Sequence, residues 1–190
     1  MGGICFAENI SKEIEYFDYY LKIDHDYFPY GNKDLELLKK RLIYLVDNSK
    51  SPIIVIACNT LSSLIFHYNL KFKKTVVDVI TPTIYFLRKK NYQNITILAT
   101  KNTINMDIYS MLLGSKIKYI NATKLINEIE NDIINKETIK EILKEVPKNS
   151  DAILLGCTHL IKVKDIFRRM TCTDILSQDE IFVMFLNERI

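Results

Sequence analysis

Five short runs of apolar, mostly β-branched residues recur along the chain with helix-period segments between them, and this alternation constrains the fold more than any other feature. The runs are Ile53-Ile54-Val55-Ile56-Ala57, Val76-Val77-Asp78-Val79-Ile80, Ile95-Thr96-Ile97-Leu98-Ala99, Ile117-Lys118-Tyr119-Ile120 and Ala152-Ile153-Leu154-Leu155. They read as strands buried on both faces. Between them apolar residues fall at steps of three and four, as at Leu35, Leu38, Leu42 and Leu45, and again at Leu125, Ile126, Ile129 and Ile133. Strands alternating with helices predict βα units and parallel sheets, an α/β fold. Only 5 Gly and 4 Pro punctuate 190 residues, so long regular elements are expected and low-complexity linkers are not.

One device occurs twice. The run 53–57 ends in Cys58-Asn59-Thr60 and leads into a helical pattern through Leu64, Ile65 and Tyr68, while 152–155 ends in Gly156-Cys157-Thr158-His159 and leads into one through Val163, Ile166 and Phe167. The repetition predicts an internal duplication: two similar α/β halves with mostly parallel sheets facing each other across a cleft, each carrying a thiol where a strand hands over to a helix. Ligands bind outside the carboxyl ends of such strands, and a cysteine beside a helix N-terminus is favoured as thiolate by the unpaired N–H groups. The boundary is expected near residues 80–92, where Pro82 and the polar stretch 88–94 interrupt the apolar runs. Two thiols in matching settings could form a resting disulfide, a nucleophile with a spectator, or an acid/base pair flanking one carbon. The first conflicts with a cytoplasmic composition; the residues alone leave the other two open.

Composition narrows the remaining classes. Being 48% hydrophobic and 26% charged rules out disorder as the main state. The 26 Lys+Arg against 23 Asp+Glu leave a net charge of +3, with no basic run beyond Lys39-Lys40-Arg41 and Lys73-Lys74, too weak a field for a nucleic-acid partner. No apolar stretch approaches the ~20 residues that cross a bilayer, and Met1-Gly2-Gly3 opens without a signal-peptide pattern, so no membrane partner and a cytoplasmic location are expected. Cys5, Cys58, Cys157 and Cys172 are scattered without a C-x-x-C pair and read as reduced thiols, neither staples nor a zinc site.

Ile56-Ala57-Cys58-Asn59-Thr60-Leu61-Ser62 and Leu155-Gly156-Cys157-Thr158-His159 resemble the two signature motifs of the glutamate racemases, cofactor-independent members of the aspartate/glutamate racemase superfamily. Phe28-Pro29-Tyr30-Gly31 is similar to the family segment that helps hold the substrate, and Ala99-Thr100-Lys101-Asn102-Thr103 to a threonine-containing loop after a strand of the second half. The resemblance implies interconversion of L- and D-glutamate, a small-molecule substrate, supplying D-glutamate for peptidoglycan, with no cofactor and no metal and with room for a homodimer. It implies a two-base mechanism, in which the thiolate of Cys58 or Cys157 removes the α-proton while the other thiol protonates the opposite face. His159 is similar to the family histidine that assists its cysteine. Asn59, Thr60, Thr158, Tyr30 and the backbone N–H of Gly31 are expected to donate to carboxylates, with Pro29 in the same segment; Thr100 and Thr103 are expected to reach ammonium or carboxylate groups. Glu130 falls about where the family places an acid supporting the second cysteine, with Glu128 as the neighbouring alternative. His25, His67, Cys5 and Cys172 match no motif and are taken as ordinary surface, helix or core residues.

The resemblance has gaps. Family members open with a strand ending in Asp-Ser-Gly, followed by a Gly-Gly pair that starts a helix, whereas this chain begins at Met1-Gly2-Gly3 and ends soon after Asp174-Ile175-Leu176. Either the true start lies upstream of Met1 or the chain is a shortened relative; as given, it is expected to be shortened at both ends, with the first strand of the first half, and the aspartate that assists the first cysteine, missing. The expected division is a first half over residues 1–85 carrying Cys58, a second over 86–176 carrying Cys157, and a helical segment over 177–190 returning toward the first half. The alternatives are a truncated homologue without turnover, and an aspartate racemase or another isomerase of the superfamily; Thr158-His159 leans toward glutamate.

Overall fold

All five apolar runs become parallel strands in the computed structural model, which describes residues 2–13, 19–114 and 116–188. Met1 and residues 189–190 of the expected C-terminal segment lie outside the described residues. The strands are β1 (Ile53–Ile56), β2 (Thr75–Asp78), β3 (Asn94–Ala99), β4 (Lys116–Asn121) and β5 (Ala152–Leu155), and a sixth, β6 (Asp174–Ser177), follows them. They form two sheets: β1 pairs with β2 with Ile53 opposite Thr75, and the larger sheet runs β4-β3-β5-β6, all parallel. The chain is α/β with two parallel sheets.

Between and after the strands lie α1 (Gly2–Ser11), α2 (Leu35–Asp47), α3 (Asn59–His67), α4 (Ile80–Lys90), α5 (Lys101–Met106), α6 (Ile108–Leu113), α7 (Thr123–Glu130), α8 (Lys136–Glu145), α9 (Lys164–Met170) and α10 (Gln178–Asn187). Helix α2 starts where Asp34 accepts from the Leu37 N–H at 2.8 Å and buries the stripe Leu38, Leu42 and Val46. The strands of the larger sheet are covered on both faces, as parallel sheets require. On one face Ile97, Ala99 and Leu154 join a core that also takes in Ile56 of β1 and Leu64, Ile80 and Leu87 of α3 and α4. On the other, Leu98, Ile153 and Leu155 pack with Leu125, Ile129, Ile139 and Phe167 from α7, α8 and α9. The smaller sheet is thus anchored to the larger through a shared apolar layer. Helix α10 packs against α4 and α1.

Three local expectations are corrected. Val79 and Ile80 do not extend β2: the Asp78 carboxylate accepts from the N–H groups of Ile80 and Thr81 at 2.7 and 2.8 Å and starts α4 there. The run 53–57 is not buried on both faces, because Ile53 and Val55 of β1 are exposed; within 80–92, Pro82 sits in the first turn of α4, where its missing N–H costs nothing, and Arg88, Lys89 and Lys90 form the helix's last turn before Asn91 closes it at φ 55°. Ile133 is not on the buried face of α7, which ends at Glu130, and is exposed.

Candidate active site

Strands β1 and β5 belong to different sheets, and the turn at the carboxyl end of each carries a cysteine. Cys58 is the extended residue that caps α3, with φ −136° and ψ 121°. Cys157 has nearly the same backbone, φ −151° and ψ 130°, but opens a 3-10 helix (Thr158–Val163) that only then continues into α9. The two turns meet: the Thr158 hydroxyl donates to the Ala57 carbonyl at 3.0 Å, joining the residue after one thiol to the residue before the other.

Burial pushes both thiols upward, and different groups oppose it. At Cys58 the opposing groups are the backbone N–H groups of Leu61 and Thr60 and the Thr60 hydroxyl, the donors that a helix N-terminus supplies. Cys157 is pushed up to about 12; the His159 backbone N–H opposes this, while negative charge on Cys58 and Glu130 adds to it.

A second layer surrounds Cys157. The His159 Nδ1 lies 3.3 Å from its sulfur, and the His159 Nε2 contacts a carboxylate oxygen of Glu130, at the last residue of α7. With Nε2–H directed at Glu130, Nδ1 is the free lone pair facing the thiol. Burial lowers His159 to about 4, so the imidazole is neutral near pH 7. Glu128 points elsewhere, accepting from the Thr138 hydroxyl at 3.0 Å. His25 and His67 are exposed; Cys5 is half-buried and Cys172 exposed.

The remaining motif residues gather as follows. The hydroxyls of Thr60, Thr100 and Thr103 form a triangle with sides of 3.1, 3.2 and 3.1 Å. Gly31 lies against Thr100, and a Cβ there would meet the Thr100 Cβ at 2.9 Å, so only glycine lets the Pro29-Tyr30-Gly31 segment approach this closely. Asn102 holds the segment by donating to the carbonyls of Tyr30 and Lys33 at 2.9 and 2.8 Å. Just before it, the Phe28 ring sits 5.9 Å from the His159 ring.

Asn59 is already bonded within the protein. It is only 3% exposed: its amide donates to the Gln178 side-chain oxygen, and its own oxygen accepts from Tyr109 at 2.7 Å and from the Gln178 amide at 3.1 Å. It fixes the first residue of α3, next to Cys58, to α6 and α10. Tyr30 and Thr158 also have their protons committed, to Asp24 and to Ala57. Sequence reasoning missed Gln178, Tyr109, Asp24 and Arg41. Gln178 and Tyr109 lie 119 and 50 positions from Asn59, Asp24 and Arg41 sit nearer Tyr30 but on separate segments, and none of the four carries a motif.

No family model matches the chain. Solved structures define its fold: it superposes on the crystal structure of glutamate racemase from Campylobacter jejuni subsp. jejuni with a TM-score of 0.86 at 22% identity, covering 100% of this chain and 82% of that one. The glutamate racemase of Francisella tularensis subsp. tularensis, solved in complex with D-glutamate, superposes with a TM-score of 0.84 at 23% identity, covering 99% and 76%. The fold is that of these racemases. At the sequence level, the glutamate racemase of Aliarcobacter butzleri is 32% identical over 194 residues, covering 92% of this chain and 74% of that protein. The chain belongs to the glutamate racemase family, whose members are amino-acid racemases, isomerases by reaction class.

Proposed function

We propose that this protein interconverts L- and D-glutamate by two-base proton transfer at Cα, with Cys58 and Cys157 as the bases and no cofactor. The observation that carries the reading is the meeting of the two cysteine-bearing turns at the carboxyl ends of strands in different sheets, joined by the Thr158 hydroxyl on the Ala57 carbonyl at 3.0 Å. An amino-acid Cα–H is a very weak acid, so proton removal needs a positioned base and a water-poor setting. One cysteine, as thiolate, takes the α-proton and leaves the bonding pair on Cα. The other gives its S–H proton to the opposite face and is left as thiolate, which inverts the centre and reverses the roles for the return reaction.

Each thiolate has its own support. At Cys157, His159 Nδ1 can accept a hydrogen bond from the S–H and orient it while Glu130 holds the ring at Nε2. For Cys58 the support is the first turn of α3, whose N–H groups favour negative sulfur. We read Thr60, Thr100, Thr103, Thr158 and the Pro29-Tyr30-Gly31 segment as the substrate's surroundings, and residues 1–85 and 86–176 as the two halves that supply one cysteine each, with 177–190 packed back on the first. The product would feed peptidoglycan synthesis in the cytoplasm.

The test is polarimetric. Purified protein given L-glutamate, D-glutamate or L-aspartate, with no added cofactor, is expected to drive either glutamate enantiomer to a racemic mixture and to leave aspartate nearly untouched. Cys58→Ser and Cys157→Ser should each lower turnover by orders of magnitude, because a hydroxyl is a far weaker acid than a thiol and a poor base at neutral pH. Full activity in either variant would remove that cysteine from the mechanism, and preference for aspartate would replace the substrate.

A further inference from the structure

A phenol carries one proton, and in this structure the Tyr30 proton is committed away from any ligand. The Tyr30 hydroxyl donates to Asp24 Oδ2 at 2.8 Å. Asp24 cannot act as the donor in return. Arg41 Nε and Nη2 donate to its two oxygens at 3.0 and 2.6 Å, and the Asp24 side chain is only 4% exposed. Burial alone would raise this carboxyl, but the hydrogen bonds from Arg41 and Tyr30 outweigh it and hold Asp24 below its ordinary value, ionised and acceptor-only. The guanidinium is itself fixed over the rings of Tyr27 and Tyr44, 4.4 and 5.2 Å from their centroids.

Tyr30 nevertheless belongs to the site. Its ring packs edge-on to Phe28 with centroids 6.4 Å apart, its carbonyl is held by Asn102, and the charge of Cys58 acts on its hydroxyl. What the oxygen retains is lone-pair capacity. We propose that the Arg41–Asp24 pair sets the polarity of Tyr30, so that its hydroxyl meets a ligand as an acceptor only and selects an ammonium group over a carboxylate. Arg41 and Asp24 are then positioning residues and Tyr30 a specificity-determining one. This reverses the donor role expected of Tyr30 from the sequence. It rests on the reading that the site takes an amino acid, and not on turnover.

The experiment compares two ligands that differ by the ammonium alone: D-glutamate and glutarate, the same diacid without its amino group. Their dissociation constants are measured by titration calorimetry on the whole protein and on Tyr30→Phe and Asp24→Asn, with thermal unfolding to check that each variant is folded. Tyr30→Phe is expected to weaken D-glutamate about tenfold or more, the effect of losing a hydrogen bond to a charged donor, and to leave glutarate within about twofold. Asp24→Asn replaces the charged acceptor of the phenol proton by a weaker neutral one and should shift the preference toward glutarate; Tyr30→Phe decides the matter if that variant does not fold. Equal weakening of both ligands in Tyr30→Phe, selective loss of glutarate, or a native protein that binds neither ligand overturns the proposal. The expected pattern in a protein that does not racemise glutamate refutes the proposed activity and sustains this inference. Racemisation without the ligand discrimination does the reverse.

Discussion

Gly2 is the residue at which the geometry around His159 is most easily tested. It opens α1, and a Cβ placed on it would lie 2.6 Å from the His159 backbone nitrogen, 2.8 Å from its Nδ1 and 2.8 Å from the Thr158 hydroxyl. Ordinary contacts of this kind are near 3.5 Å or longer, so Gly2→Ala must move α1 outward by close to an ångström or displace His159. The obstacle is partly backbone and cannot swing aside. Overpacking of this kind costs about 1–3 kcal/mol, which for a chain this long lowers the melting temperature by roughly 2–12 °C. If His159 moves instead, its 3.3 Å approach to the Cys157 sulfur is lost, and misplacement on this scale costs about a hundredfold in rate. Gly3→Ala is the internal control: its Cβ would meet only the Ala57 Cβ at 4.0 Å, and alanine in a helix is favoured by about 0.5–1 kcal/mol. Thermal unfolding and racemisation, measured on both variants, should separate them, with Gly2→Ala damaged in stability, activity or both and Gly3→Ala unharmed. If Gly2→Ala matches the native protein in both assays, the close packing of α1 on the Thr158-His159 turn is wrong.

Other expectations follow from burial and ionisation. Burial pushes Cys157 up to about 12 in the folded protein, against ~8.5 when unfolded. Above that lower value the unfolded chain releases a proton that the folded chain keeps, so stability falls as pH rises through this window. Urea midpoints at about pH 7.5 and 10.5 should therefore diverge less in Cys157→Ala than in the native protein, and an equal fall in both would refute the assignment. Leu154 is fully buried on β5, between β3 and β6, and Leu154→Ala should destabilise by about 2–5 kcal/mol in the same assay. A loss under about 1 kcal/mol would mean the sheet is not packed on both faces as described.

The strands were legible because each contains a short apolar run, and a parallel strand buried on both faces, such as β5, needs no alternation to announce itself; β1 is equally apolar although Ile53 and Val55 are exposed. The second β-run was read too long at Val79 and Ile80, since both residues are apolar and buried whether in strand or helix; the deciding residue was Asp78, whose carboxylate caps α4. β6 was missed because only Ile175 and Leu176 of its four residues are apolar. Of the site, the two cysteines, His159 and the threonine triangle could be named from short motifs on strand-to-helix turns. The hydrogen-bonding state of those residues could not. Tyr30 is turned toward Asp24 by Arg41, which lies 17 positions from Asp24 and on another element, and Asn59 is turned toward Gln178, 119 positions away. Such pairings exist only once the helices have packed, and no local pattern encodes them.

The central claim, two bases acting on opposite faces of one carbon, is tested most directly by following hydrogen at Cα in D₂O. L-glutamate and D-glutamate are each incubated with the protein to low conversion, and substrate and product are separated and examined by mass spectrometry. With separate bases, the product enantiomer receives its Cα hydrogen from the second thiol, which has exchanged with solvent, while any return to the original face comes from the thiol still holding the abstracted protium and regenerates unlabelled substrate. The prediction is a product carrying one deuterium at Cα and a remaining substrate pool still carrying protium, from either enantiomer. Deuterium entering remaining substrate as fast as it enters product, or product formed without deuterium, would contradict the two-cysteine account.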